Sequence, residues 1–142
     1  MFDALIKNTV APLVLRLALA AIFIFHGFHK VHDEGNEWGA AWLKMSLPNS
    51  SEPPGKPMQL AVAWGELVGG AALAIGFLTR LAAVGIIALM AGTIATVHWP
   101  NFNVHDNGFE YNMLIIAACA VLVLTGPGHI AVDRFLRLRR RQ

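Results

Sequence analysis

The feature that most constrains this chain is a charge inside grease. The run from Val10 to Phe28 approaches the ~20 apolar residues that a membrane-crossing helix needs, yet it carries Arg16 in its interior. An arginine at that position requires a partner or a task, because an unpaired charge within a bilayer costs several kcal/mol. The far end of the same run is crowded with titratable groups, His26-Gly27-Phe28-His29-Lys30-Val31-His32.

Composition places the whole chain in the same setting. Of 142 residues, 56% are hydrophobic and 14% charged, and the mean hydropathy is +0.53, too apolar for an ordinary soluble domain. The length suits one domain, residues 1–142. The net charge of +2 does not indicate nucleic acid: the basic residues gather in the tail, 134–142, without interleaved aromatics. The single cysteine, Cys119, excludes an internal disulfide or a Cys-x-x-Cys pair and reads as an apolar filler. The first run holds Arg16 and continues into His-Gly-Phe-His-Lys rather than a small-residue cleavage site, so it reads as a retained span.

Four spans are expected, at about 10–28, 58–78, 81–99 and 111–125. They form an all-α integral membrane four-helix bundle. Thr79-Arg80 leaves a tight turn between the second and third spans. Within the longest link, Trp38, Trp42, Met45 and Leu47 suggest a short interfacial helix in the segment 36–47, followed by an exposed proline-rich loop. Lys7, Arg80 and the basic tail fall on one side, opposite Lys30, Lys44 and Lys56. Both termini are therefore expected in the cytoplasm, with the chain a multi-pass protein of a bacterial inner membrane. Small residues at helical spacing, such as Gly65 and Gly69, mark packing faces.

Glu66 is the second charge within a span. The helical rise of about 1.5 Å per residue puts Arg16 about 10 Å and Glu66 about 18 Å from the cytoplasmic face, so the two are expected to pair or share a polar network. On a helical wheel Gly27 and Lys30 lie within about 40° of Arg16, with His26 about 80° away. At the outer end His26, His29 and His32 meet His98, His105 and Glu110. Imidazoles with carboxylates can hold copper or zinc, or relay protons.

Taken in order, Leu15-Arg16-Leu17, His26-Gly27-x-x-Lys30, Glu66-Leu67-Val68-Gly69-Gly70, Gly76-Phe77-Leu78-Thr79-Arg80, His98, Glu110, and Gly126-Pro127-Gly128 with Asp133 resemble the DoxX family over nearly the whole chain. The resemblance implies a small four-helix membrane protein associated with redox work, as in subunits of a thiosulfate:quinone oxidoreductase or of oxidative-stress complexes. His29, His32, the long acidic-to-proline loop and His129-Ile130-Ala131-Val132 depart from the family's usual pattern.

Three readings follow. In the first, the chain is an oxidoreductase subunit without a redox-cofactor motif of its own. Glu66, Arg16 and Lys30 then act as catalytic groups, and His26, His98 and Glu110 complete a quinone-binding pocket open to the outer face. In the second, His26, His29, His32, His98 and His105 bind copper or zinc. In the third, the chain is a non-catalytic scaffold of a larger complex. Expected partners are the lipid bilayer, a membrane redox complex or a second copy in a homo-oligomer, and no nucleic acid.

Overall fold

The computed structural model describes residues 2–35, 37–44 and 51–139. The described residues contain helices and no strand. Helix α1 runs Phe2–His32 with a π-helical stretch at Ile6–Val10, α2 Lys56–Ile75, α3 Thr79–His98 with a second π-helical end at Ile94–His98, α4 Glu110–Thr125 and α5 Val132–Arg139. Helices α1, α2 and α3 are long and apolar enough to cross a membrane. The 16 residues of α4 rise only about 24 Å, short of a hydrocarbon core of about 30 Å.

The ends of these helices follow from local chemistry. Pro12 lies within the continuous helix α1, where its missing N–H leaves the Asn8 carbonyl without its helical donor, and the His129 amide takes that carbonyl instead at 3.0 Å. Helix α2 ends at Ile75, three residues before the expected Leu78, because Gly76 turns left-handed at φ 72°. The Phe77 and Gly76 amides then donate back to the Ala72 and Leu73 carbonyls, at 2.9 and 3.2 Å. Helix α3 starts directly after that turn. Asp133, reaching across from α5, accepts from the Leu78 and Thr79 amides at 2.7 and 2.8 Å, an N-cap supplied from more than fifty residues away in sequence.

Helices α1 to α4 alternate in direction, and each packs on its neighbours in sequence, with α4 returning to touch α1. All four contribute to the core, which includes Leu19, Phe23, Leu73, Ile86, Ile115 and Cys119. The closest approach is between α1 and α2. A Cβ built on Gly27 would lie 2.5 Å from the Leu67 nitrogen, and one on Gly70 would lie 2.8 Å from the Ile24 nitrogen. Glycine at both places lets the two backbones touch. Gly27→Ala is expected to push the helices apart and cost about 1–3 kcal/mol, read as a lower unfolding temperature of the detergent-solubilised chain. An unchanged temperature would show that the backbones are not in contact there.

The segment expected to form an interfacial helix is different where described; residues 36 and 45–47 lie outside the described residues. Over residues 37–44 the chain forms turns, with Trp38, Gly39 and Ala41 all at positive φ. It folds over the loop end of α1 and α2, burying Ala40, and the Trp64 indole donates to the Trp38 carbonyl at 2.6 Å. Packing onto the bundle, which inserts Trp42, has overridden any helical preference here. An exposed Lys56–Glu37 pair ties the segment to α2. That hydrogen bond holds the Glu37 carboxyl below the usual carboxylate range.

Candidate functional site

Two polar centres occupy opposite ends of the α1–α2 pair, and the expected Arg16–Glu66 pair is not formed. Arg16 is 1% exposed, and its guanidinium is caged by backbone carbonyls. Nε donates to Leu73 O at 2.9 Å, Nη2 to Ala74 O at 3.1 Å, and Nη1 to both Pro127 O and Ile130 O at 2.7 Å. Leu73 and Ala74 belong to the last turn of α2, where the helix dipole is negative and Leu73 O, accepting also from the Gly76 amide, has a second lone pair to offer. A planar fork with five donors can answer four carbonyls at once. The guanidinium is thus met by carbonyls rather than by a carboxylate in contact, with the Asp133 charge acting from farther off. Gly76 completes the cage: any Cβ there would come within 2.6 Å of the Ala131 Cβ and 2.8 Å of the Arg16 Cζ.

Glu66 instead meets Lys30. The Lys30 Nζ donates to both carboxylate oxygens, at 2.6 and 2.5 Å, with side-chain exposures of 21% for lysine and 6% for glutamate. The register of the antiparallel pair explains the exchange of partners, and side-chain direction adds to it. Gly27 lies against Leu67 and Gly70 against Ile24, so Glu66 is level with Phe28, close to Lys30 and about 18 Å along the axis from Arg16. Each Cα–Cβ bond tilts toward its own helix N-terminus. On α1 that tilt carries Arg16 away from Glu66 and brings Lys30 toward it. On the antiparallel α2 it carries Glu66 toward Lys30. Leu73, where Arg16 binds, is about 10 Å farther along α2 than Glu66.

The ion pair has a roof. The Lys30 Nζ lies 4.6 Å from the centroid of the Trp42 ring, a cation–π contact. The Trp42 indole donates to Gln59 O at 3.0 Å. The Gln59 side chain accepts from Leu43 N at 3.2 Å and donates to Pro54 O at 2.8 Å. Buried Gln59 therefore fixes the whole lid. In the sequence Trp42 reads only as an interfacial residue, and the one signal for Gln59 is an amide in the opening turns of an apolar span. Trp42 is also one wall of an apolar cavity of about 330 Å³ between α2 and α3, which Met58, Gln59, Leu89, Gly92 and Thr96 help to line.

The remaining candidate residues do not join this centre. His26 is exposed on α1 with its ring edge-on to Phe25. Exposed His29 faces Asp33 at 3.4 Å, and His32 stacks obliquely near Phe28. His98 donates from Nδ1 to Asn107 O at 2.6 Å, and Glu110 accepts from Val104 N at 2.9 Å. Both therefore brace the α3–α4 loop, in which Trp99 and Phe109 stack and the His105 amide donates to the Asn103 side chain. Among the described residues no group of three or more His, Cys, Asp or Glu side chains is placed to hold a metal. The five histidines share one end of the bundle and point different ways.

Comparison with known proteins places the chain in a family. A family model described as DoxX matches residues 11–99, and one described as TQO small subunit DoxD matches residues 57–142. An uncharacterized protein of Haemophilus influenzae is 26% identical over 134 residues, covering 93% of this chain and 87% of its own length. No solved structure matches. The two family models together run from the arginine cage through the Lys30–Glu66 pair to the capping Asp133, and the chain accordingly belongs to the DoxX family.

Proposed function

We propose that this chain is the membrane subunit of a quinone-linked oxidoreductase, with its working centre at Lys30, Glu66 and Trp42 rather than at Arg16. The observation that carries this reading is the buried ion pair roofed by Trp42, beside an apolar cavity. A quinone, when bound, is the carrier of electrons and protons. The lining residues suit its apolar tail. Gly85 and Gly92 leave open space on the exposed face of α3, so an isoprenoid chain enters sideways from lipid. They suit the polar head less well, because Trp42, Gln59, Thr93 and Thr96 already donate to chain carbonyls. Lys30 and Glu66 adjoin the cavity through Trp42 and supply the ionised groups that hold or move a proton.

The same reading places four spans in a bacterial inner membrane, with both termini in the cytoplasm, and makes the chain one component of a larger redox complex. It is supported by the lysines and arginines concentrated at the end of the bundle where α1 begins and α4 finishes, and by the match to an oxidoreductase small subunit.

Filling the cavity tests the reading. Gly92→Leu adds a side chain where a Cβ meets nothing within 4 Å, and leucine favours helix over glycine by about 1 kcal/mol. The variant is expected to fold with an unchanged or higher unfolding temperature, and to lose at least about tenfold in affinity for a long-tailed ubiquinone titrated by tryptophan quenching, a loss of about 1.4 kcal/mol. Unchanged affinity would remove the cavity from the mechanism.

A further inference from the structure

A second cavity lies at the opposite end of the bundle, beside the arginine cage. Its volume is about 560 Å³, and it is lined by the start of α1, the start of α3, the Gly126–His129 turn and α5. Three permanent cations, Lys7, Arg80 and Arg134, converge on it, together with His129 and the Asn8 amide. None of those three cations forms an ion pair with a described residue. Of the acids near them in sequence, Asp133 has its two oxygens committed to the Leu78 and Thr79 amides, and Asp3, four residues before Lys7, is exposed and outside the lining.

The cavity is built rather than incidental. Its wall is the turn whose Pro127 and Ile130 carbonyls Arg16 holds, and the His129 amide pins that turn to Asn8 O at 3.0 Å. Gly126, at φ 83°, keeps the wall low enough that the Arg80 guanidinium lies 3.4 Å from where a Cβ would stand. Convergent cations with no carboxylate in contact call for a phosphate-type oxyanion, which guanidinium groups bind through paired donors. The position, at the end of membrane-crossing helices, is the depth of lipid headgroups, where basic pockets recruit anionic lipids.

We propose that this cavity binds a phosphate group through Lys7, Arg80 and Arg134. A phosphodiester headgroup of an anionic lipid and free phosphate share that chemistry, and the test separates them. The full chain, solubilised in a neutral detergent, is titrated with short-chain phosphatidylglycerol, short-chain phosphatidylcholine or inorganic phosphate while its thermal unfolding is followed. Phosphatidylglycerol is expected to raise the unfolding temperature by roughly 3–6 °C at saturation, with phosphatidylcholine ineffective; a comparable rise with inorganic phosphate alone would assign the site to the free anion. Lys7→Gln/Arg134→Gln, which alters two exposed side chains, is expected to fold and to lose most of the shift; Arg80→Gln is expected to do the same. Absence of any shift in the wild-type chain, or an equal shift in the Lys7→Gln/Arg134→Gln variant, would overturn the proposal.

Discussion

Replacing Arg16 with leucine is expected to destabilise the chain by about 3–5 kcal/mol, the range seen when one member of a buried charged network is removed. The loss has a defined structural origin. Four carbonyls, from Leu73, Ala74, Pro127 and Ile130, would lose a charge-assisted donor at a buried position. The damage would spread beyond α1, because the same guanidinium ties the end of α2 to the turn that leads into α5. That helix carries Asp133, the cap of α3. Arg16→Lys is expected to recover only part of the stability. An ammonium retains the charge, but it has three donors and no planar fork with which to bridge two chain segments. Thermal unfolding in detergent, followed by far-ultraviolet circular dichroism, measures both variants. A lysine variant as stable as wild type would show that charge alone, and not the fork, serves the cage.

The Lys30–Glu66 pair should behave differently under a double-mutant cycle. Lys30→Met alone leaves a carboxylate stranded in a site where its side chain is 6% exposed, and is expected to cost about 3 kcal/mol. Glu66→Leu alone is expected to cost less, because Lys30 is 21% exposed and its long stem can carry the ammonium toward the interface. The double variant should recover to within about 1 kcal/mol of wild type, since an apolar pair of similar volume replaces the ions at little net cost. That outcome would mark the pair as dispensable for folding, the behaviour expected of groups kept for a task. If the two single losses simply add in the double variant, the residues are not coupled and the contact is incidental.

Much of the scaffold was legible from residue order alone. Apolar run lengths located the main helices to within a few residues, apart from the early start of α1. Arg16, Gly27 and Lys30 were correctly placed toward the bundle interior by helical phase. The partners of the charges were not legible. The rise per residue puts Arg16 and Glu66 at neighbouring depths only if both spans begin level; the register set by Gly27 on Leu67 and Gly70 on Ile24 instead offsets them by about 18 Å along the axis. The expected pairing also takes a carboxylate to be the sole remedy for a buried guanidinium, when the last turn of α2 offers carbonyls of the right sign. The lid was hidden for another reason. Trp38, Gly39 and Ala41 adopt positive φ because Trp42 and Gln59 lock together across the bundle, a tertiary cause that local propensity does not encode. The histidines were gathered correctly at one end, but spacing in sequence did not reveal that His98 and Glu110 serve the geometry of their own loop.

The central claim is that the Lys30–Glu66 centre works while the Arg16 cage holds the fold, and turnover separates the two most directly. Glu66→Gln keeps the shape of the side chain and removes its charge. Native membranes carrying this variant in place of the wild-type chain should contain the assembled complex at normal abundance, with quinone-dependent electron transfer reduced about a hundredfold, the lower range for loss of a proton-transferring group. Normal abundance together with an undiminished rate would contradict the account.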